Sequence, residues 1–218
     1  MTRFVMVADL RRCVGCQTCT AACKENNGTP VGVQWRRVLD IEAGEYPDVS
    51  RVFLPTGCQH CDKPPCMEVC PSTATGKRAD GLVTIDYDLC IGCSYCIMAC
   101  PYEARFKVED LVYPYEEGAT AADQARTNPA KFDGVVSKCT FCIDRIDAGL
   151  AKGLVPGRDM EATPACVQGC ISGALRFGDL DDPGSDVATL IRDNKWFRQH
   201  EAEGTRPGFY YLWDKGAL

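Results

Sequence analysis

Cys90-Ile91-Gly92-Cys93-Ser94-Tyr95-Cys96-Ile97-Met98-Ala99-Cys100-Pro101 decides how this chain is read. Three cysteines recur at intervals of three, and a fourth follows four residues later. The first three thiols therefore sit on one tight loop. The fourth stands a helical turn beyond, before a proline that ends the run. Thiolates in this pattern suit an inorganic iron–sulfur core.

The same run recurs upstream as Cys13, Cys16, Cys19 and Cys23. A second quartet, Cys58, Cys61, Cys66 and Cys70, adds Pro64 and Pro65 before its third cysteine and is closed by Pro71. The fourth, Cys139, Cys142, Cys166 and Cys170, carries a long insertion between its halves. The four quartets use all sixteen cysteines. Disulfides explain this poorly, because cysteines two residues apart are bad partners within a run. Zinc sites pair one CxxC with a distant second; the fourth quartet alone fits that form. The spacing predicts four [4Fe-4S] clusters.

A single run cannot enclose its own cubane, so each fourth ligand comes from a paired run. The second and third quartets are adjacent and share Cys-Pro endings. One cluster is expected on Cys58, Cys61, Cys66 and Cys100, and the next on Cys70, Cys90, Cys93 and Cys96. The outer quartets then pair across the chain. Cys13, Cys16, Cys19 and Cys170 take a third cluster; Cys23, Cys139, Cys142 and Cys166 take the fourth. Every ligand position is cysteine, which leaves no sign of a three-iron cluster or a histidine ligand.

Repeats give the fold class. Phe4-Val5-Met6-Val7-Ala8-Asp9 precedes Cys13 as Leu82-Val83-Thr84-Ile85-Asp86 precedes Cys90. Gly15 and Gly92 let the backbone wrap closely. Ala74, Ala104 and Ala174 stand four residues after a quartet's last cysteine, and Arg105-Phe106-Lys107-Val108 and Leu175-Arg176-Phe177 read as return strands. Asp80-Gly81 predicts a hairpin over 77–85. The expected class is α+β: two nested bacterial-ferredoxin-like modules with long loop insertions. Residues 1–57 with 125–180 form the outer module and 58–112 the inner one. Residues 113–138 are a surface excursion, polar over 116–130, and 149–164 a second excursion. Residues 181–218 carry a turn, a helix over about 186–200 with Trp196 on its apolar side, and an aromatic tail at 208–213. The tail reads as a packed strand or an arm, and is assigned to partner contact.

Net charge of −6 and a pI near 5.0 exclude a dominant basic face, and with it a nucleic-acid partner. Apolar content of 45% allows a core. The basic pairs Arg11 and Arg12, Arg36 and Arg37, and Lys77 and Arg78 read as solvated surface, or as charges that dock an acidic partner or offset anionic clusters. No segment is apolar for long enough to span a bilayer. The apolar stretch at 4–8 is too short for a signal peptide, so carriage by a signal-bearing partner is expected. His60 reads as packed or as a neighbour of sulfur, and His200 as structural. Asn27-Gly28-Thr29 reads as a turn. No hydrolytic triad, P-loop or dinucleotide fingerprint is present, so no substrate chemistry is expected on this chain.

Residues 3–179 resemble the iron–sulfur electron-transfer subunits of the dimethyl sulfoxide reductase family of molybdenum enzymes. The resemblance rests on the Cys13-to-Lys24 run, Cys58-Gln59-His60-Cys61 with Pro64-Pro65-Cys66, Cys90-Ile91-Gly92-Cys93 and Cys139-Thr140-Phe141-Cys142. It implies a catalytic partner with a molybdenum bis-pterin cofactor and a quinone-reactive membrane subunit or cytochrome. It also supports the nested ligand sets. Formate dehydrogenase subunits of this type carry a membrane helix, and nitrate reductase subunits carry a tryptophan at one ligand position; both features are missing here. The expected function is electron relay in a thiosulfate, polysulfide, tetrathionate, arsenate or sulfite enzyme, attached to the membrane through partners, with the periplasmic face favoured over the cytoplasmic one. A free-standing polyferredoxin and a zinc scaffold are the rival readings.

Overall fold

The computed structural model describes residues 2–111 and 131–213. Most of the expected 113–138 excursion lies outside them. The fold is mixed α and β, with small sheets and short helices.

Strand β1, Phe4–Asp9, is apolar on both faces and wholly buried. It pairs antiparallel with β8, Leu175–Asp179, and parallel with β10, Phe209–Leu212. The two-residue β9, Trp196–Phe197, completes a sheet of order β8-β1-β10-β9. Val5 and Val7 face helix α6, Asp186–Asp193, through Val187. Phe4, Met6 and Ala8 face the main core with Phe177, Phe209 and Tyr211. A strand covered on both sides needs such an unbroken apolar run.

The remaining strands follow one rule. The strand leaving each quartet pairs with the strand entering the next. After the first quartet comes β2, Arg36–Glu45, paired with β3, Asp48–Gly57. After the second, β4, Thr75–Lys77, pairs with β5, Val83–Ile85, as the hairpin at 77–85 requires. After the third, β6, Arg105–Lys107, pairs with β7, Val136–Lys138. After the fourth, β8 returns to β1 and closes the circle. The repeated alanines serve this closure: the Ala74 carbonyl accepts from the Asp86 N–H, and the Ala174 carbonyl accepts from the Asp9 N–H.

Each quartet's last two cysteines are i and i+4, the spacing that a helix brings to one face. Helix α1, Thr18–Asn27, holds Cys19 and Cys23; α2, Pro65–Glu68, holds Cys66; α3, Tyr95–Met98, holds Cys96. Helix α4, Ile143–Ala151, follows Cys142, and α5, Ala165–Gln168, holds Cys166. Pro65 starts α2, where its missing N–H costs nothing. Helix α1 packs on α5, and α2 packs on α3.

The ten-residue strands β2 and β3 form a hairpin about a Tyr46-Pro47 turn, from segments rich in apolar and β-branched side chains. The helix expected over 186–200 stops at Asp193, because Asn194 is extended and Trp196 and Phe197 pair with Leu212 and Tyr211. Of the two readings of the aromatic tail, the packed strand is the one observed: Phe209–Leu212 is a buried central strand. Just before it, the carbonyls of Thr205 and Arg206 accept from the N–H groups of Lys63 and Asp62, which fastens the tail over the second quartet.

Candidate metal centres

All sixteen cysteines are free thiols. Cys58, Cys61, Cys66 and Cys100 line one small cavity with Pro64, Pro65 and Tyr102. Cys70, Cys90, Cys93 and Cys96 line another with Ile85, Ile91 and Gly92. In each cavity three thiols come from one quartet and one from the other. The cross-over is local: Cys70 and Cys100 each follow a short helix that packs on its counterpart.

The outer quartets meet through α1 and α5. Cys13 lies near enough to Cys170 and Cys16 to feel their charge. Cys23, on α1, instead feels Cys139, Cys166 and Cys142. The α1–α5 contact is close: a methyl group on Gly169 would stand 3.1 Å from the Ala22 side chain. Among the described residues, no group of His, Cys, Asp and Glu converges on a point for a single metal ion. The thiols rim volumes instead.

The donor set fits a cubane. Burial pushes Cys19 up to about 11, with Arg36 partly opposing, and Cys139 likewise to about 11. Burial raises Cys61 and Cys142 to about 12. Such thiols give up protons only to a strongly attracting cationic centre, which iron supplies. Hydrogen bonds then wait for thiolate sulfur. Arg105 Nη2 donates to Cys66 Sγ at 2.9 Å, Thr18 Oγ1 to Cys16 Sγ at 3.3 Å, and the Leu175 N–H to Cys170 Sγ at 3.4 Å. Asn27 Nδ2 donates to Cys23 Sγ at 3.5 Å. The Asn27-Gly28-Thr29 turn is therefore used inside the fold.

One backbone feature distinguishes the quartets. The third residue of each CxxC lies in the left-handed region: Gly15 at φ 67°, His60 at 43°, Gly92 at 64° and Phe141 at 55°. Glycine serves where nothing else fits. A methyl group on Gly92 would stand 2.1 Å from the Gly134 carbonyl oxygen. Gly92→Ala is expected to lower stability by more than the ~1–2 kcal/mol of the left-handed penalty alone, because the obstacle is backbone. Thermal unfolding of the purified chain against wild type measures it.

At the other two quartets the same position carries a ring. His60 and Phe141 are both buried and stack at 3.9 Å. His60 Nδ1 accepts from the Val83 N–H, so Nε2 carries the proton and donates to the Cys139 carbonyl at 3.0 Å. Burial, then the nearby Lys138 charge, keeps this imidazole neutral. His60 does not meet sulfur; it ties the second quartet to the fourth. His200 meets the edge of Tyr102 at 5.6 Å.

The basic pairs divide. Arg11 pairs with Asp9, Lys77 with Asp62, and Arg78 with Asp80 and Asp147. Arg36 is fully buried, which excludes the solvated-surface reading of this arginine and leaves the reading that it offsets anionic clusters. Gly57, opposite it on β3, leaves the guanidinium room, and four thiols surround it. Arg105 and Lys138 are buried too. In the sequence Arg105 and Lys138 have no visible role, because each stands in a short strand of mixed polar and apolar residues.

A family described as a 4Fe-4S dicluster domain matches residues 49–116. A chain assigned as a dimethyl sulfoxide reductase iron–sulfur subunit in Halobacterium salinarum is 40% identical, over 97% of this chain and 79% of its own length. A selenate reductase subunit of Mesobacillus selenatarsenatis is 40% identical over 96% of this chain and 72% of its own. A tetrathionate reductase subunit of Salmonella typhimurium is 38% identical over the same shares.

Proposed function

Because this chain belongs to the iron–sulfur subunit family of dimethyl sulfoxide reductase-type molybdenum oxidoreductases, we propose that it relays electrons through four [4Fe-4S] clusters. The relay runs between a catalytic partner holding a molybdenum bis-pterin cofactor and a quinone-reactive membrane subunit or cytochrome. The complex acts on an oxyanion of sulfur or arsenic, and the selenate reductase relative adds selenium to that class. The ligand sets are Cys13, Cys16, Cys19 and Cys170; Cys23, Cys139, Cys142 and Cys166; Cys58, Cys61, Cys66 and Cys100; and Cys70, Cys90, Cys93 and Cys96. They form two nested modules. Among the described residues no helix is long and apolar enough to cross a membrane. We assign membrane attachment to the partner, with co-export to the periplasmic face, in keeping with the family.

The observation that carries the reading is that the second and third quartets each contribute a cysteine to the other's cavity, while α1 packs on α5 and so brings the first and fourth quartets together. When bound, each cluster supplies one-electron transfer. The chain's own residues hold the clusters in order and exclude water. Cys19 lies near Cys166, which puts the first two sets side by side. Cys139 lies near Cys58, across the His60–Phe141 stack, which joins the second set to the third. Arg105 lines both remaining cavities and joins the third to the fourth. Cys16 and Cys93 are the two exposed cysteines, and they belong to the first and last sets. Electrons enter at one of these ends and leave at the other.

Ligand sharing is tested by electron paramagnetic resonance of the reduced complex. Cys16→Ser and Cys170→Ser should perturb the same cluster signal. Cys23→Ser and Cys142→Ser should perturb a second, different one. Signals that segregate by quartet rather than by set would defeat the nested arrangement. A colourless preparation containing zinc without acid-labile sulfide would defeat the relay altogether.

A further inference from the structure

Three cations lie inside the molecule. Arg36 and Lys138 are fully buried, and Arg105 is 4% exposed. Among the described residues, no ion pair joins any of them to a carboxylate. A lone cation withdrawn from water is strongly destabilising unless an anion lies beside it. What lies beside these three is sulfur and backbone carbonyl.

Their placement is regular. Arg36 acts on Cys19 of the first ligand set and on Cys23, Cys139 and Cys166 of the second. Its guanidinium carbon lies 5.0 Å from the centre of the Phe209 ring, and Nη2 donates to Met6 Sδ at 3.0 Å. Its Nε and Nη1 are buried with no hydrogen-bond partner. Arg105 donates to Thr75 Oγ1 at 3.1 Å and to Cys66 Sγ, and it acts on Cys58 and Cys66 of the third set and Cys96 of the fourth. Between the modules, Lys138 Nζ donates to the carbonyl of Val83 and, at 2.9 Å, to that of Cys139. Its charge reaches Cys66. Each neighbouring pair of sets thus has one cation between them.

A cubane with four thiolates carries net negative charge, and one more electron makes it more negative. A nearby fixed cation stabilises the reduced form and raises the potential, and a dry surrounding strengthens the effect. We propose that Arg36, Lys138 and Arg105 are positioning charges at the three junctions of the relay, each raising the reduction potentials of the two clusters it separates. The orphaned Arg36 donors then face the anions that compensate them. The inference rests on the ligand sets proposed above.

The test is a redox titration of all four cluster signals in the purified complex, with iron content measured alongside. Arg36→Met should lower the potentials of two clusters and leave two in place. Arg105→Gln should lower the other two. Lys138→Met should lower one member of each pair. Arg36→Lys and Arg105→Lys keep the charge but lose the guanidinium geometry, and should keep potentials near wild type. Unchanged potentials in fully loaded neutral variants would overturn the proposal, as would the same pair moving in both arginine variants. Should the neutral variants fail to load, the lysine variants decide: retained potentials support the charge role, and a fall in potential refutes it. A wild-type complex with fewer than four signals refutes the ligand sets instead, whatever the variants do.

Discussion

Cys139→Ala is expected to stop electron delivery through the assembled complex while leaving dye-linked turnover on the catalytic partner intact. Cys139 is buried, next to Cys166 of its own proposed set and Cys58 of the adjoining one. On the proposed relay its cluster is an interior stepping stone. Without it, an electron must cross the distance between the first and third clusters in one hop, and transfer slows exponentially with gap. A fall of about a hundredfold or more, equivalent to ~3 kcal/mol of added barrier, is the expected size. The measurement compares turnover coupled to the quinone-reactive or cytochrome partner with turnover coupled to a dye that reaches the catalytic partner directly. Near wild-type rates in a preparation lacking that cluster's signal would show that the relay does not run through it. Cys16→Ser, at an exposed end, provides the contrast: serine oxygen can still ligate iron there, and the interior of the chain is undisturbed.

Phe141→Ala should cause the largest loss of stability among single side-chain truncations near the centres. The ring is 1% exposed, stacks on His60 at 3.9 Å and meets Phe177 edge-on at 5.6 Å. It therefore fills the space between the second and fourth quartets and touches the central sheet. Truncation of a buried phenylalanine costs ~3–5 kcal/mol through lost transfer energy and a residual cavity. At about 2–4 °C per kcal/mol for a chain of this size, Tm should fall by roughly 6–20 °C. Loss of visible absorbance on heating measures it in the loaded protein. Phe141→Gly should cost no more than Phe141→Ala, because φ of 55° suits glycine and offsets part of the lost packing. A glycine variant much weaker than the alanine variant would show that the left-handed backbone carries no strain.

Much of this was legible because ligand chemistry is local. A thiol every third residue requires no knowledge of the rest of the fold. The hairpin at 77–85 was equally local, since Asp80-Gly81 fits a tight turn between β4 and β5. Elements that depend on partners were not legible. The aromatic run 208–213 has the same composition whether it lies on a surface or inside a sheet. It became a core strand because β1 offered an unpaired edge and the segment before it was fastened over the second quartet. Likewise, nothing in Arg36-Arg37 says that the first arginine is buried and the second is part-exposed. That depends on the space beside Gly57 and on thiols contributed by residues 19–166 of the chain.

The chain alone determined the class of ligand, the number of quartets and the loop form of each, because these follow from covalent spacing and from the turn of a helix. Tertiary structure decided how the first and fourth quartets are brought together, which two cysteines are exposed, and that Arg36, Arg105 and Lys138 are enclosed. Those outcomes depend on contacts such as α1 against α5, made between segments more than a hundred residues apart. Long-range packing of that kind is a property of the whole folded chain, and no local pattern specifies it.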